Sequence, residues 1–225
     1  MLKPTKAAIA DTQATGNRRR IIEATLEMCN ASGERNVTTN HICAHLGISP
    51  GNLYYHFRNK QEIIFEIYQR LEVEMLAILH LPEGRRTEMQ DIFNYVNALF
   101  QHIWRYRFFF HDVAWMLENS PQLKLRYPQL TDQVLASGRA IYGDLAAVGL
   151  MQANQQEIES LTLNSWIVLT YWLTYERIHS GADRSSGHLT QGIRQFVALF
   201  YAYLTPQAKA YTDELMSTHW AALDL

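Results

Sequence analysis

Apolar residues in this chain recur at every third or fourth position from Ile22 to Leu204, and no segment alternates apolar and polar residues over the length of a strand. A period near 3.6 places side chains on one face of a helix, whereas a half-buried strand needs a period of two. The pattern implies an all-α chain. Its 225 residues, 48% of them apolar, suffice for a sizeable buried core.

Capping chemistry divides the chain into helices. Residues 1–16 read as a flexible arm, and a first helix is expected to start at Asn17 and to turn Ile22, Leu26 and Cys29 inward before stopping at Gly33. A second opens at Thr38 or Thr39 and sets Ile42 and Leu46 on one face. Gly47 can take a positive φ, Ser49 offers an N-cap oxygen, and Pro50 suits a first helical position. A short third helix over about 50–57 then faces Leu53 and Phe57 inward. Asn59 and Glu62 have the spacing of a capping box for a long fourth helix, striped by Ile63, Ile64, Ile67, Leu71 and Met75. Beyond the break at residues 81–84, helices are expected over roughly 88–106, 108–119, 128–147, 155–180, 188–204 and 206–222, parted at Pro121, Gly149, residues 181–187 and Pro206.

The formal net charge is only −2, but it is unevenly placed: residues 1–60 hold eight Lys or Arg against four acids, leaving −6 on the remainder. That asymmetry points to a nucleic-acid or acidic-surface contact in the N-terminal quarter. The two cysteines, Cys29 and Cys43, sit inside apolar helical patterns and read as small buried hydrophobes of a reducing compartment. The first seventeen residues hold no apolar signal core. The apolar, uncharged stretch at residues 160–175 is 16 long, short of the roughly 20 that a membrane span needs. A cytoplasmic protein with no membrane partner is expected.

Two helices of about eight residues joined at Gly47 have the dimensions of a helix-turn-helix, whose second helix enters the major groove. With Leu53 and Phe57 inward, Gly51, Asn52, Tyr54, Tyr55 and His56 cover the rest of that helix and can meet phosphates and base edges. An aromatic core stripe is the competing reading of Tyr54 to Phe57, but four consecutive large residues cannot all face one core. Ser49 brings helix N-terminal amides to a phosphate, Lys60 adds an ammonium, and Arg18, Arg19 and Arg20 lie where the arm meets the first helix, able to follow the backbone or enter a minor groove.

From Arg20 to Ile64 the chain resembles the DNA-binding domain of the tetracycline-repressor (TetR) family of bacterial transcription regulators. The resemblance rests on Thr38-Thr39, Gly47-Ile48-Ser49, the Gly51-Asn52-Leu53-Tyr54-Tyr55-His56-Phe57 run and Lys60. It implies an all-α protein with a three-helix helix-turn-helix domain, residues 17–64, followed by a helical effector and dimerisation bundle, residues 65–225. It implies that Thr39, Tyr55 and Lys60 hold phosphates of double-stranded operator DNA, beside the Ser49 and Arg18 contacts expected above, while Asn40, Pro50, Gly51, Asn52, Tyr54 and His56 lie nearest the bases. It implies a homodimer built from the last long helices, 155–180 and 188–204, packing as a four-helix bundle, and the stripe of Leu189, Ile193, Phe196, Val197 and Phe200 is the expected interface.

For an effector, residues 104–121 and 164–179 concentrate four of the five tryptophans. Trp104, Phe108, His111, Trp115, Asn164 and Trp166 are the expected contacts of a small apolar or amphipathic molecule. Catalysis finds little support. Glu176 and His179 have the Glu-x-x-His spacing of a di-iron bundle without a second such pair, and the residue after His41 in the His41/His45 pair is Ile42 rather than a general-base Glu. The expectation is a repressor that is no enzyme and needs no cofactor or metal. An all-α enzyme, or a regulator without a small-molecule effector, stays open.

Overall fold

The structure, a computed structural model, describes residues 6–179 and 187–220, so parts of the expected arm and of the loop at 181–187 lie outside it. Eleven helices are described: α1 (Lys6–Ser32), α2 (Thr39–Leu46), α3 (Pro50–His56), α4 (Lys60–Ile78), α5 (Met89–Arg105), α6 (Arg107–His111), α7 (Val113–Glu118), α8 (Pro121–Ala147), α9 (Gln155–His179), α10 (Gly187–Tyr201) and α11 (Pro206–Trp220). The first three enclose Ile21, Ile22, Leu26, Ile42, Leu53 and Phe57 against Ile63 of α4. The rest form a bundle in which α9 packs between α8 and α10.

Three expected boundaries move. The first helix begins at Lys6 rather than Asn17, because the Ala-rich stretch before Gly16 has high helix propensity; Asn17 accepts a hydrogen bond from Arg20 (3.3 Å) instead of capping. The helix expected from 128 begins at Pro121, the expected break, where Ser120 accepts from Leu123 N–H at 3.3 Å, and Pro128 is carried on the exposed side of that helix. The single helix expected over 108–119 is two short ones.

The break between α5 and α6 is built by a side chain distant in sequence. Asn30 of α1 donates to the Arg105 carbonyl (2.8 Å), an unpaired acceptor at the end of α5, and accepts from Phe108 N–H (3.0 Å) at the start of α6. One amide thus closes two helix ends and binds the head to the bundle. Glu23 adds ion pairs to Arg70 (3.0 Å) and Arg105 (3.7 Å), and the Arg35 guanidinium lies 4.1 Å above the Trp115 ring and 3.6 Å from Asp112. At the far end, Met151 and Leu204 form an antiparallel bridge flanked by Gln152 N–H to Tyr203 O (2.8 Å) and Thr205 N–H to Leu150 O (3.1 Å). Gly192 lets α10 approach closely: a Cβ there would stand 2.5 Å from Phe100 Cε1 and 2.6 Å from Trp172 Cδ1.

His102 is buried between α4 and α5, with its ring 4.9 Å from that of Tyr106. Burial pushes its pKa down to about 4, the Leu71 carbonyl pulling the other way and Arg105 deepening the drop. The Glu74 carboxylate 3.6 Å from Nδ1 is open to solvent and does not offset the burial. The folded ring stays neutral where the unfolded chain, titrating near 6.5, binds a proton. Its contribution to stability is therefore present above about pH 6.5 and is lost as pH falls toward 4, by about 3 kcal/mol in all. Urea melts of the protein between pH 7 and 4.5 are expected to show this fall, and His102→Gln to flatten it; parallel curves would exclude His102 as the source.

Candidate nucleic-acid interface and bundle cavity

The α2–α3 corner follows from four local devices. Thr38 caps α2 by accepting from His41 N–H (3.2 Å). Gly47, at φ 64°, ends it, with Ile48 N–H on Cys43 O (3.1 Å) and Gly47 N–H on Ala44 O (3.3 Å), a closure that requires the left-handed region. Ser49 caps α3 by accepting from Asn52 N–H (3.2 Å), and Pro50 fills the first position. Leu53 and Phe57 then face the core.

What remains faces out. Tyr55 is 78% exposed and Tyr54 50%, while Asn40, Ser49, Pro50 and Gly51 are also exposed. The Tyr54 hydroxyl lies 3.2 Å from the half-buried Thr39 hydroxyl and ties α3 to α2. His56 is half-buried, edge-on to Tyr55 at 5.0 Å; burial, then the Arg18 charge, lowers its pKa from the ordinary 6.5. Asn52 is half-buried, its Oδ1 enclosed without a hydrogen-bond partner, which makes it the least free of the group.

Two expected phosphate ligands are committed elsewhere. Lys60 Nζ donates to the Glu34 carbonyl (2.9 Å) and pairs with Glu34 Oε1 (2.7 Å), both side chains being largely covered. Arg18 is ion-paired with Glu66, and its guanidinium lies 4.6 Å over the Phe57 ring. Lys60 is largely covered, whereas Arg18, although paired to an acid of α4, keeps about half of its side chain in solvent. Glu34 escapes a reading of the sequence: it stands 26 residues from Lys60, so no helical spacing links them.

A cavity of ≈ 540 Å³, its mouth included, opens among α5, α8, α9 and α10, with Val96, Leu99, Ile141, Tyr142, Ser165 and Trp166 in its wall. Of the six residues expected to meet an effector, only Trp166 lines it. Phe108 is buried near the α1 contact; Trp104 is half-buried under the Arg107 guanidinium at 4.5 Å; Trp115 is covered by Arg35; His111 is half-buried and Asn164 exposed. The periodicity of 104–121 marks apolar faces but not which of them turns toward α1. Tyr142 and Ser165, hydrogen-bonded at 2.7 Å, and Phe196 are cavity residues that carry no sequence signature.

The expected dimer stripe is likewise redirected. Ile193, Phe196, Val197 and Phe200 are buried within a single chain, with Phe196 packed 6.0 Å from Phe100, and Leu189 is half-buried. The exposed apolar face lies on the other expected helix, α9, where Leu163, Ile167, Tyr171, Tyr175 and Ile178 are 42–64% exposed at helical spacing along roughly 22 Å of helix. Among the described residues, no group of three or more His, Cys, Asp or Glu is placed to hold a metal ion, and no helix is long and apolar enough to cross a membrane.

Residues 21–67 match the family of bacterial regulatory proteins, tetR family, and residues 70–212 match the TetR bacterial transcriptional repressor family. A TetR-family transcriptional regulator from Marinobacter aquaeolei VT8 has a crystal structure that superimposes with a TM-score of 0.81 at 39% identity, over 89% of this chain and 97% of that one. An HTH-type transcriptional regulator of Staphylococcus aureus is 39% identical over 57 residues, which is 25% of this chain and 31% of that protein. The Escherichia coli tetracycline repressor protein class D is 32% identical over 94 residues, 40% of this chain and 41% of its own. The match thus spans less than half the length of these two curated relatives.

Lys60→Ala is expected to leave the mostly covered Glu34 carboxylate without its cation and to lower stability by about 1–3 kcal/mol. Chemical denaturation measures the change, and Lys60→Ala with Glu34→Gln should recover most of it. An unaltered midpoint in the single variant would show that the pair adds nothing.

Proposed function

The chain belongs to the TetR family of bacterial transcriptional regulators, and from that premise we propose a homodimeric repressor that is released from its operator when a small apolar molecule enters the bundle cavity. DNA binding and transcription regulation follow from membership of the family; the dimer, the release and the residue roles are the proposal. The observation that carries it is α3 itself, capped at its start, anchored by Leu53 and Phe57, and presenting Tyr54 and Tyr55 outward. Residues 17–64 form the DNA-binding domain and 65–225 the effector and dimerisation domain, with α4 running across the boundary.

Thr39, Ser49 and Tyr55 hold phosphates, and Asn40, Pro50, Gly51, Asn52, Tyr54 and His56 lie nearest the base edges. Lys60 and Arg18 join them only by leaving Glu34 and Glu66, an exchange of one anion for another. Two copies of α3 reading successive major grooves need a spacing of about 34–36 Å, which a two-fold dimer supplies. The α9 stripe is the proposed dimer face, since an exposed apolar band of that length is best covered by a second copy of itself. The cavity reaches Leu79 at the end of α4, and Lys60 stands at the other end of the same helix, so an effector that displaces Leu79 moves the head. To swing occupancy from 99:1 to 1:99 it must discriminate between the two states by about 5.5 kcal/mol. The role is binding, not catalysis.

Tyr55→Ala is expected to weaken binding by about tenfold or more to a duplex selected from a random pool with the unmodified protein, the thermal midpoint being unchanged because the ring touches little of the core. Equal affinity by fluorescence anisotropy would remove α3 from the contact. Ile167→Asp combined with Tyr171→Asp is expected to yield folded monomers in analytical ultracentrifugation; a persisting dimer would place the interface elsewhere.

A further inference from the structure

The cavity wall is as informative for what it lacks as for what it holds. Fifteen residues line it, and none carries a charge. Four bear hydroxyls: Tyr95, Tyr142, Thr162 and Ser165. Two of these are turned to the backbone, Tyr95 donating to the His80 carbonyl and Thr162 to the Ile158 carbonyl (2.7 Å). The other two face each other, with Tyr142 Oη 2.7 Å from Ser165 Oγ. Two hydroxyls carry two protons, and their mutual bond uses one. The second is left for a third oxygen or nitrogen, whichever of the pair donates to the other.

We propose that the effector is an uncharged molecule with a hydrocarbon body and one hydrogen-bond acceptor, such as a carbonyl oxygen, seated on the Tyr142–Ser165 pair. This rests on reading the cavity as the effector site. A carboxylate there would lose its hydration with no cation in the wall to replace it. A quaternary ammonium needs open aromatic faces. The rings at hand meet one another edge-on or tilted rather than as a cage, with Phe196 edge-on to Phe100 (6.0 Å) and Phe200 (6.3 Å), and the wall holds no carboxylate to balance a cation. Burial raises the Tyr142 pKa to about 12, so its hydroxyl keeps its proton at neutral pH.

Isothermal titration of the full chain at pH 7.5 with four ten-carbon-chain probes tests this: decan-2-one, n-decane, decanoate and decyltrimethylammonium. The ketone is expected to bind at least tenfold more tightly than either ion. Tyr142→Phe with Ser165→Ala should erase its advantage over n-decane while leaving n-decane binding intact. Ser165→Ala alone, the smaller change, should reduce that advantage and serves where the double variant does not fold. Decanoate or the ammonium binding within threefold of the ketone overturns the uncharged class but leaves the cavity as a site. No heat with any probe, or heat that Leu99→Trp, a variant that fills the cavity, leaves unchanged, removes the site itself and the effector release proposed for it.

Discussion

Every other feature of this molecule depends on α4 being packed at both ends by different neighbours. Its first turn is held by Asn59, which accepts from Glu62 N–H at 2.9 Å, and by the Lys60–Glu34 pair. Its middle sets Tyr68 against Phe109 of α6 (5.3 Å) and Glu72 against Arg126 of α8. Its last residues reach the cavity through Leu79. A 19-residue helix is about 28 Å of stiff rod, so a shift at one end is not absorbed along its length. The apolar stripe from Ile63 to Met75 is fully buried, and this keeps the rod from rotating independently of either body.

The DNA-reading corner was legible in the sequence because its causes are local. Thr38, Gly47, Ser49 and Pro50 each act within four residues of themselves, and each does in the structure what its chemistry suggested. The bundle was less legible because its decisive contacts are long-range. Asn30 meets Phe108 across 78 residues, and nothing near either one announces the α5–α6 break. Periodicity marked Ile193, Phe196, Val197 and Phe200 as one apolar face, correctly, but a face does not say whether the same chain or another one covers it. The arm failed for the opposite reason: a lone glycine and an attractive N-cap at Asn17 outweighed the alanines before them, and at about 1 kcal/mol one glycine is too weak to stop a helix.

A site walled by apolar groups draws its affinity mainly from hydrocarbon removed from water, which scales with area and discriminates poorly between shapes of equal area. Polar groups then carry specificity, because a buried donor left without an acceptor is penalised more than a satisfied one is rewarded. The Tyr142–Ser165 pair softens that penalty, since each hydroxyl already has the other. The selection such a site exerts falls on the charge of a ligand more strongly than on its outline.

Helix α9 stands between the two surfaces proposed to carry regulation. Its inner side contributes Ser165, Trp166 and Leu169 to the cavity, and its outer side carries Leu163, Ile167 and Tyr171, the face proposed to meet a second subunit. Residues of the two sets alternate within one turn, so the helix cannot tilt to admit a ligand without moving the outer set as well. Coupling between sites is reciprocal in free energy. A ligand that favours one arrangement of α9 must bind more tightly to whatever dimer geometry shares that arrangement, and operator DNA, which demands one separation of the two recognition helices, must in turn set the affinity of the cavity. The proposed regulation thus needs no path through many residues, only one rigid helix with a ligand on one side and its own copy on the other.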